Sequence, residues 1–344
     1  MTEFRPIFIV GVPRSGTTLL RVLLGAHSFV LGLPETPWLM GSYGDPVSLR
    51  ALLTALAEDP MGLVKNVKGT EPADISSAGR AFLEALIGPC LERRGKKFVV
   101  FKTPDDIKFL EFLVALFPQA YFIHICRDGR DVALSHVAKK GRWLPRHIEL
   151  GGVDFFNVFQ RWHDWETKAR TVLAESGAPS IFLRYEDLVT RPEAELRRLC
   201  EFLGLPFEPM MLRYTAADVD FPNWEAGSTD VRAKRDVSSA AVARWRHARR
   251  TPAFVYALTR HDRYLAELGY EPSRLELTAW QHVIGALYPW FAPAAGLIDR
   301  VADEFMHFRG RLRLRSRIRS LLEKHLPDSA LRRLWTRTLS DTSP

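Results

Sequence analysis

The chain has 344 residues, a formal net charge of +8, 47% hydrophobic and 26% charged residues, and three cysteines. This composition excludes disordered, collagen-like and repeat architectures, and at ~150 residues per domain the length predicts one large domain or two small ones. Cys90, Cys126 and Cys200 are widely spaced, odd in number and without a CxxC, which argues against a disulfide framework or a structural zinc site and for a reducing compartment.

The first apolar run, residues 7–12, stops at Pro13-Arg14. It is too short for a signal peptide or a membrane span, so a cytoplasmic location is expected. Short apolar runs rich in β-branched and aromatic residues lie at 7–10, 98–101, 121–126 and 181–183, with a further candidate strand at 29–33. Near-continuous apolar character suits strands buried on both faces of a parallel sheet. Between them, helical spacing runs over 17–24, 106–116, 128–138, 154–174 and 192–203, the last closed by Gly204. Residues 46–95 read as a helical insertion over one end of the sheet. The pattern predicts an α/β protein: a P-loop-like three-layer sandwich around a central, mainly parallel sheet, followed by a helical C-terminal extension.

That extension, 273–344, holds the basicity. Residues 309–337 carry ten Lys/Arg against two Asp/Glu, leaving residues 1–308 at only +1. The charge therefore does not mark a nucleic-acid interface of the core, and no nucleic-acid partner is expected. Residues 277–298 contain no Asp, Glu, Lys or Arg and include Trp280 and Trp290, while the following arginine-rich stretch has the spacing of a basic amphipathic helix. An anionic membrane surface is one expected partner for it, at the inner face of the membrane; packing on the domain or on a second subunit is the other. Oligomeric state is left open.

The sharpest motif is Gly11-Val-Pro13-Arg14-Ser15-Gly16-Thr17-Thr18, directly after a strand and directly before a helix. Glycines let backbone N–H groups approach an anion, and the positive end of the helix dipole favours negative charge. The glycines have the G-x4-G spacing of an ATPase phosphate loop, but Thr17 stands where the lysine would be, and the loop's cation is Arg14. A second motif, Arg127 with Ser135 eight residues on, begins at the carboxyl end of the strand at 121–126. An arginine and a hydroxyl there can grip another phosphate. Taken alone it reads equally well as a salt-bridged loop with Asp128 capping a helix.

Together these motifs resemble the sulfotransferases that use 3′-phosphoadenosine 5′-phosphosulfate (PAPS). Pro13, Arg14, Ser15, Gly16, Thr17 and Thr18 match that family's loop for the 5′-phosphosulfate, and Arg127 and Ser135 its pair for the 3′-phosphate. Tyr185-Glu186-Asp187-Leu188, followed by Pro192, matches a segment whose tyrosine lies near the adenine, and Lys102-Thr103-Pro104 follows the strand at 98–101. The resemblance covers roughly residues 5–270 and implies a catalytic domain over 1–272; it looks closest to the branch with tyrosylprotein, bacterial and carbohydrate sulfotransferases. Lys234 and Arg235 are the loose counterpart of residues that close over the 3′-phosphate.

Transfer to a hydroxyl or amine needs a general base at the acceptor end. Glu35, between Pro34 and Thr36 just beyond the candidate strand at 29–33, emerges at the same sheet edge, and the resembled branch has a glutamate base about this far beyond the loop. His27, His124 and His136 are its rivals, His136 the better placed. Arg14 and Lys102 are the cations expected to steady charge in the transition state, with no metal. The acceptor is expected to be a small molecule, a carbohydrate or a lipid-linked group, bounded by residues 38–95 and 140–160. Competing readings are a P-loop nucleoside or sugar kinase and a non-catalytic nucleotide- or membrane-binding module.

Overall fold

The computed structural model describes residues 4–42, 47–140, 153–213, 237–248, 252–273, 278–279 and 283. Lys234, Arg235, the uncharged stretch at 277–298 apart from its few described positions, and the arginine-rich stretch lie outside them. The chain divides into two compact units, Met1–Tyr288 and Pro289–Pro344, and every described residue belongs to the first. The sequence placed the break at 272/273.

Five strands, β1 (Arg5–Val10), β2 (Val30–Gly32), β3 (Phe98–Phe101), β4 (Tyr121–Cys126) and β5 (Ser180–Arg184), form a sheet of order β2-β3-β1-β4-β5, with every pairing parallel. Eleven α-helices are described: α1 (Thr17–Gly25), α2 (Pro37–Met40), α3 (Leu49–Glu58), α4 (Leu63–Asn66), α5 (Pro72–Arg93), α6 (Leu110–Leu116), α7 (Gly129–Lys140), α8 (Val153–Ser176), α9 (Tyr185–Thr190), α10 (Pro192–Leu203) and α11 (Pro252–Glu267).

The strands are apolar throughout because both faces are covered. On one face Ile7, Ile9, Phe98, Val100, Ile123 and Ile125 join Leu20 and Leu23 of α1 and Leu196, Leu199 and Leu203 of α10 in one core cluster. On the other, Phe8 stacks on Phe101 and Phe122 at 5.1 and 5.4 Å and reaches Phe117, just after α6, at 5.2 Å. Each such side chain contributes about 1.5–3 kcal/mol on burial. The register is fixed by this alternation, since a slip of one residue would exchange the two faces.

The helix expected over 106–116 is two elements: a 3-10 helix, Pro104–Phe109, and then α6. Pro104 opens the turn, and the Asp106 carboxyl accepts the Ser42 hydroxyl at 2.5 Å, drawing that turn toward the segment that carries α2. In the 46–95 region, α3 meets α5 where Gly79 has no side chain; a Cβ there would lie 2.5 Å from Leu53 Cδ1.

β1 is flanked by β3 and β4, so chain neighbours leave it in opposite directions. The carboxyl ends of these three strands deliver residues 11–16, 102–103 and 127–128 to one rim of the sheet, the position where open α/β sheets bind ligands.

Candidate active site

The β1–α1 loop turns tightly from strand into helix, with the Ser15 N–H donating to the Val12 carbonyl at 3.0 Å. Arg14 has φ 79° and Gly16 φ 93°, two left-handed residues within three positions. For a side-chain-bearing residue such as Arg14 this conformation costs about 1–3 kcal/mol, a strain found at ligand clamps. Gly16 is required twice over: besides its φ, a Cβ would come within 2.4 Å of the Tyr185 ring. At Gly11 a Cβ would meet the Ile125 carbonyl at 2.5 Å, so glycine lets the loop leave β1 hard against β4. Helix α1 then begins with no side-chain cap and no acidic residue in its first turn. Ser15 is fully buried, and its hydroxyl has no hydrogen-bond partner among the described residues. Thr17 is buried, and Pro13 and Thr18 are half-buried beside it.

Arg127 lies across this loop. Its Nη1 donates to the Arg14 carbonyl at 3.0 Å and its Nη2 to the Ala241 carbonyl at 2.6 Å; its guanidinium sits 4.6 Å from the Tyr185 ring centroid, and its buried Nε has no partner among the described residues. Ser135, on α7, accepts from Arg14 Nε at 3.1 Å. The hydroxyl that spacing paired with Arg127 is thus engaged by the other arginine, because Arg127 turns toward the β1 loop. Arg14, Gly16, Arg127, Ser135 and Tyr185 form one contiguous cluster.

Several residues that sequence reasoning missed hold Arg127 in place. The Trp162 indole donates to the Arg127 carbonyl at 3.1 Å, reaching it because Gly129 has no Cβ; one there would lie 2.3 Å from the indole. Glu186 accepts the Asp128 N–H at 3.0 Å with one carboxylate oxygen and the Tyr270 hydroxyl at 3.0 Å with the other. Asp128 caps α7 through the Arg130 N–H and pairs with the Arg130 guanidinium at 2.7 Å. Arg130 in turn covers the Trp245 ring at 3.7 Å, while the Trp245 N–H donates to Asp131. Burial pushes the Glu186 and Asp131 carboxyls and the Tyr185 phenol above their usual ranges. Of these, Asp128, readable as a helix cap in a salt-bridged loop, and Glu186, inside the Tyr-Glu-Asp-Leu match, carried a signal in the sequence.

At the ends of β2 and β3 a second group forms. Lys102, fully buried, places Nζ 2.5 Å from Glu35 Oε1, and Glu35 is 15% exposed. The Thr36 N–H donates to Thr103 Oγ1 at 2.9 Å, and burial pushes Asp106 up to about 8 against the Ser42 hydrogen bond. The two rival histidines at buried positions are committed elsewhere. His27 Nδ1 accepts the Phe29 N–H at 3.0 Å while Nε2 meets the Pro206 carbonyl at 2.8 Å, and His124 Nε2 lies 2.7 Å from the buried Glu166. His136 is half-buried on α7. Among the described residues, no group of three or more His, Cys, Asp or Glu is placed to hold a metal ion.

A model described as the sulfotransferase family matches residues 6–209. Protein-tyrosine sulfotransferase 1 of Danio rerio is 28% identical over 281 residues, covering 77% of this chain and 72% of its own length. Nodulation protein NoeE of Sinorhizobium fredii is 28% identical over 316 residues, covering 85% of this chain and 69% of its own. The solved sulfotransferase domain from the curacin biosynthetic pathway superposes with a TM-score of 0.53 at 24% identity, over 79% of this chain and 99% of that domain, and so shares the fold. With the family match running from β1 past α10, the chain belongs to the sulfotransferase family, and its chemistry is the transfer of a sulfuryl group.

Proposed function

We propose that the sulfuryl donor is PAPS and that the acceptor is a hydroxyl or amine deprotonated by Glu35. The observation that carries this is the hydrogen bond from Arg127 to the Arg14 carbonyl, which joins the two anion-binding motifs into one cluster beside the Tyr185 ring. The residues suit a doubly phosphorylated nucleotide: a helix start without a side-chain cap and, among the described residues, a buried serine hydroxyl and a buried guanidinium N–H that have no hydrogen-bond partner. Pro13 to Thr18 would hold the phosphosulfate, Arg127 and Ser135 the 3′-phosphate, and Tyr185 the adenine, with Lys234 and Arg235 as further candidates at the 3′-phosphate. PAPS supplies the sulfuryl group and leaves as adenosine 3′,5′-bisphosphate.

In this reading Glu35 takes the acceptor proton as the acceptor oxygen or nitrogen bonds to sulfur. Lys102 and Arg14 stabilise negative charge on the bridging and sulfuryl oxygens, the kind of fixed electrostatic support that contributes most in such transfers. The donor assignment is tested by thermal shift. Adenosine 3′,5′-bisphosphate should stabilise the protein without magnesium and more strongly than ATP; the reverse order would point to a kinase. Acceptor class is tested by screening phenols, carbohydrates, lipid-linked groups and tyrosine peptides with labelled donor. The tyrosine arm follows from the similarity to protein-tyrosine sulfotransferase 1 of Danio rerio.

A further inference from the structure

Lys102 and Glu35 reach each other from the segments that follow β3 and β2, and their immediate neighbours are joined as well. Thr103 follows Lys102 and Thr36 follows Glu35; both are buried, and the Thr36 N–H donates to Thr103 Oγ1 at 2.9 Å. The two hydroxyl oxygens are 3.4 Å apart. Six residues beyond Thr36, Ser42 donates to Asp106 Oδ1 at 2.5 Å, and the Asp106 N–H returns to the Thr103 carbonyl at 2.9 Å. All four side chains are buried, so the links are shielded from competing water.

Thr36 is also the N-cap of α2, yet its side chain makes no capping bond. The strand pairing cannot fix this spacing alone, because β2 ends at Gly32, three residues before Glu35. From there the segment touches the end of β3 through the Leu33 N–H on the Val100 carbonyl, and next through Thr103.

The geometry points to Thr103 as a positioning residue: its hydroxyl, by accepting the Thr36 N–H, sets the placement of Glu35 against Lys102 and hence against the acceptor. This rests on Glu35 and Lys102 acting as described under the proposed function. Displacement of a catalytic group by about 1 Å costs up to about a hundredfold in rate, whereas donor binding occurs around Arg14 and Arg127 and does not pass through this link. The link therefore governs turnover, not donor affinity.

The test compares Thr103→Val, which keeps the shape and removes the acceptor, with Thr103→Ser, which restores it. In full-length protein, Thr103→Val should lower kcat roughly ten- to hundredfold, with the affinity for adenosine 3′,5′-bisphosphate and the KM for donor unchanged. Thr103→Ser should recover most of that loss. Should the valine chain fail to fold, Thr103→Ala carries the same comparison. An unchanged kcat in the valine variant, a serine variant as impaired as valine, or a parallel loss of donor affinity would overturn the assignment while leaving the sulfotransfer reading intact. A wild-type protein that neither binds the bisphosphate nor transfers sulfuryl groups would overturn both.

Discussion

The two ends of the site are built on opposite electrostatic plans. Around Arg127 the positive charge is held by carbonyl dipoles and an aromatic face, at Arg14, Ala241 and Tyr185. At the other end Lys102 faces Glu35 directly, a cation with no exposure against a carboxylate 15% exposed. The first plan suits capture of an anion, since among the described residues the desolvated guanidinium hydrogen-bonds to carbonyls and not to a carboxylate. The second suits a proton transfer, in which the net charge of the pair matters less than its placement. Donor affinity and turnover should therefore respond to different residues.

The strongest separation is expected from Glu35→Ala. Loss of a general base costs roughly 10²–10⁴ in rate, so kcat should collapse while binding of adenosine 3′,5′-bisphosphate survives; near-normal turnover would remove Glu35 from the role. Lys102→Ala should follow, with a loss of about a hundredfold, roughly 3 kcal/mol of barrier, by analogy with one oxyanion donor. It is read as kcat at saturating donor.

Glu186 sharpens the contrast from the donor side. Glu186→Ala removes the acceptor of both the Asp128 N–H and the Tyr270 hydroxyl, loosening the loop that carries Arg127. Leaving a buried donor unsatisfied costs about 1–3 kcal/mol, so donor affinity should fall about tenfold, with a smaller change in kcat at saturation. Glu186→Gln should be milder; calorimetry of bisphosphate binding checks both.

A smaller effect concerns stability and pH. The Asp106 carboxyl titrates at about 8 in the fold against an ordinary 3.8, raised first by burial. Between those two values unfolding releases its proton, so stability falls as pH rises through that window. Asp106→Asn keeps an acceptor for Ser42 and removes the penalty. Its thermal midpoint should exceed the parent's at pH 7, by roughly 2–4 °C for each kcal/mol recovered, and match it at pH 4. A variant equally destabilised at both pH values would show that the carboxyl does not carry this cost.

Much of the frame could be read in the sequence because it depends on local pattern. The apolar runs at 98–101 and 121–126 coincide with β3 and β4, and Gly204, at φ 67°, ends α10 where its position implied. The loop from Gly11 to Thr18 was legible because strand, glycines and helix follow one another directly. What escaped depends on residues far apart in the chain. Trp162 reaches the Arg127 carbonyl across 35 residues, and Tyr270 reaches Glu186 across 84. Neither has a spacing signature, since each is fixed by how helices pack on the sheet. The split of the helix expected over 106–116 has the same origin: the Asp106 side chain answers to Ser42, 64 residues earlier, instead of to its own helix.

The central claim is that Arg14 and Arg127 serve one doubly phosphorylated nucleotide. Calorimetric titration of the wild-type protein and of Arg127→Ala with adenosine 3′,5′-bisphosphate and with adenosine 5′-monophosphate tests it most directly. A charged hydrogen bond contributes about 1.5–3 kcal/mol, more than tenfold in affinity. The wild type should therefore prefer the bisphosphate by at least about tenfold, and Arg127→Ala should lose most of that preference. Equal affinity for the two nucleotides in the wild type, or a preference that survives in Arg127→Ala, would contradict the account.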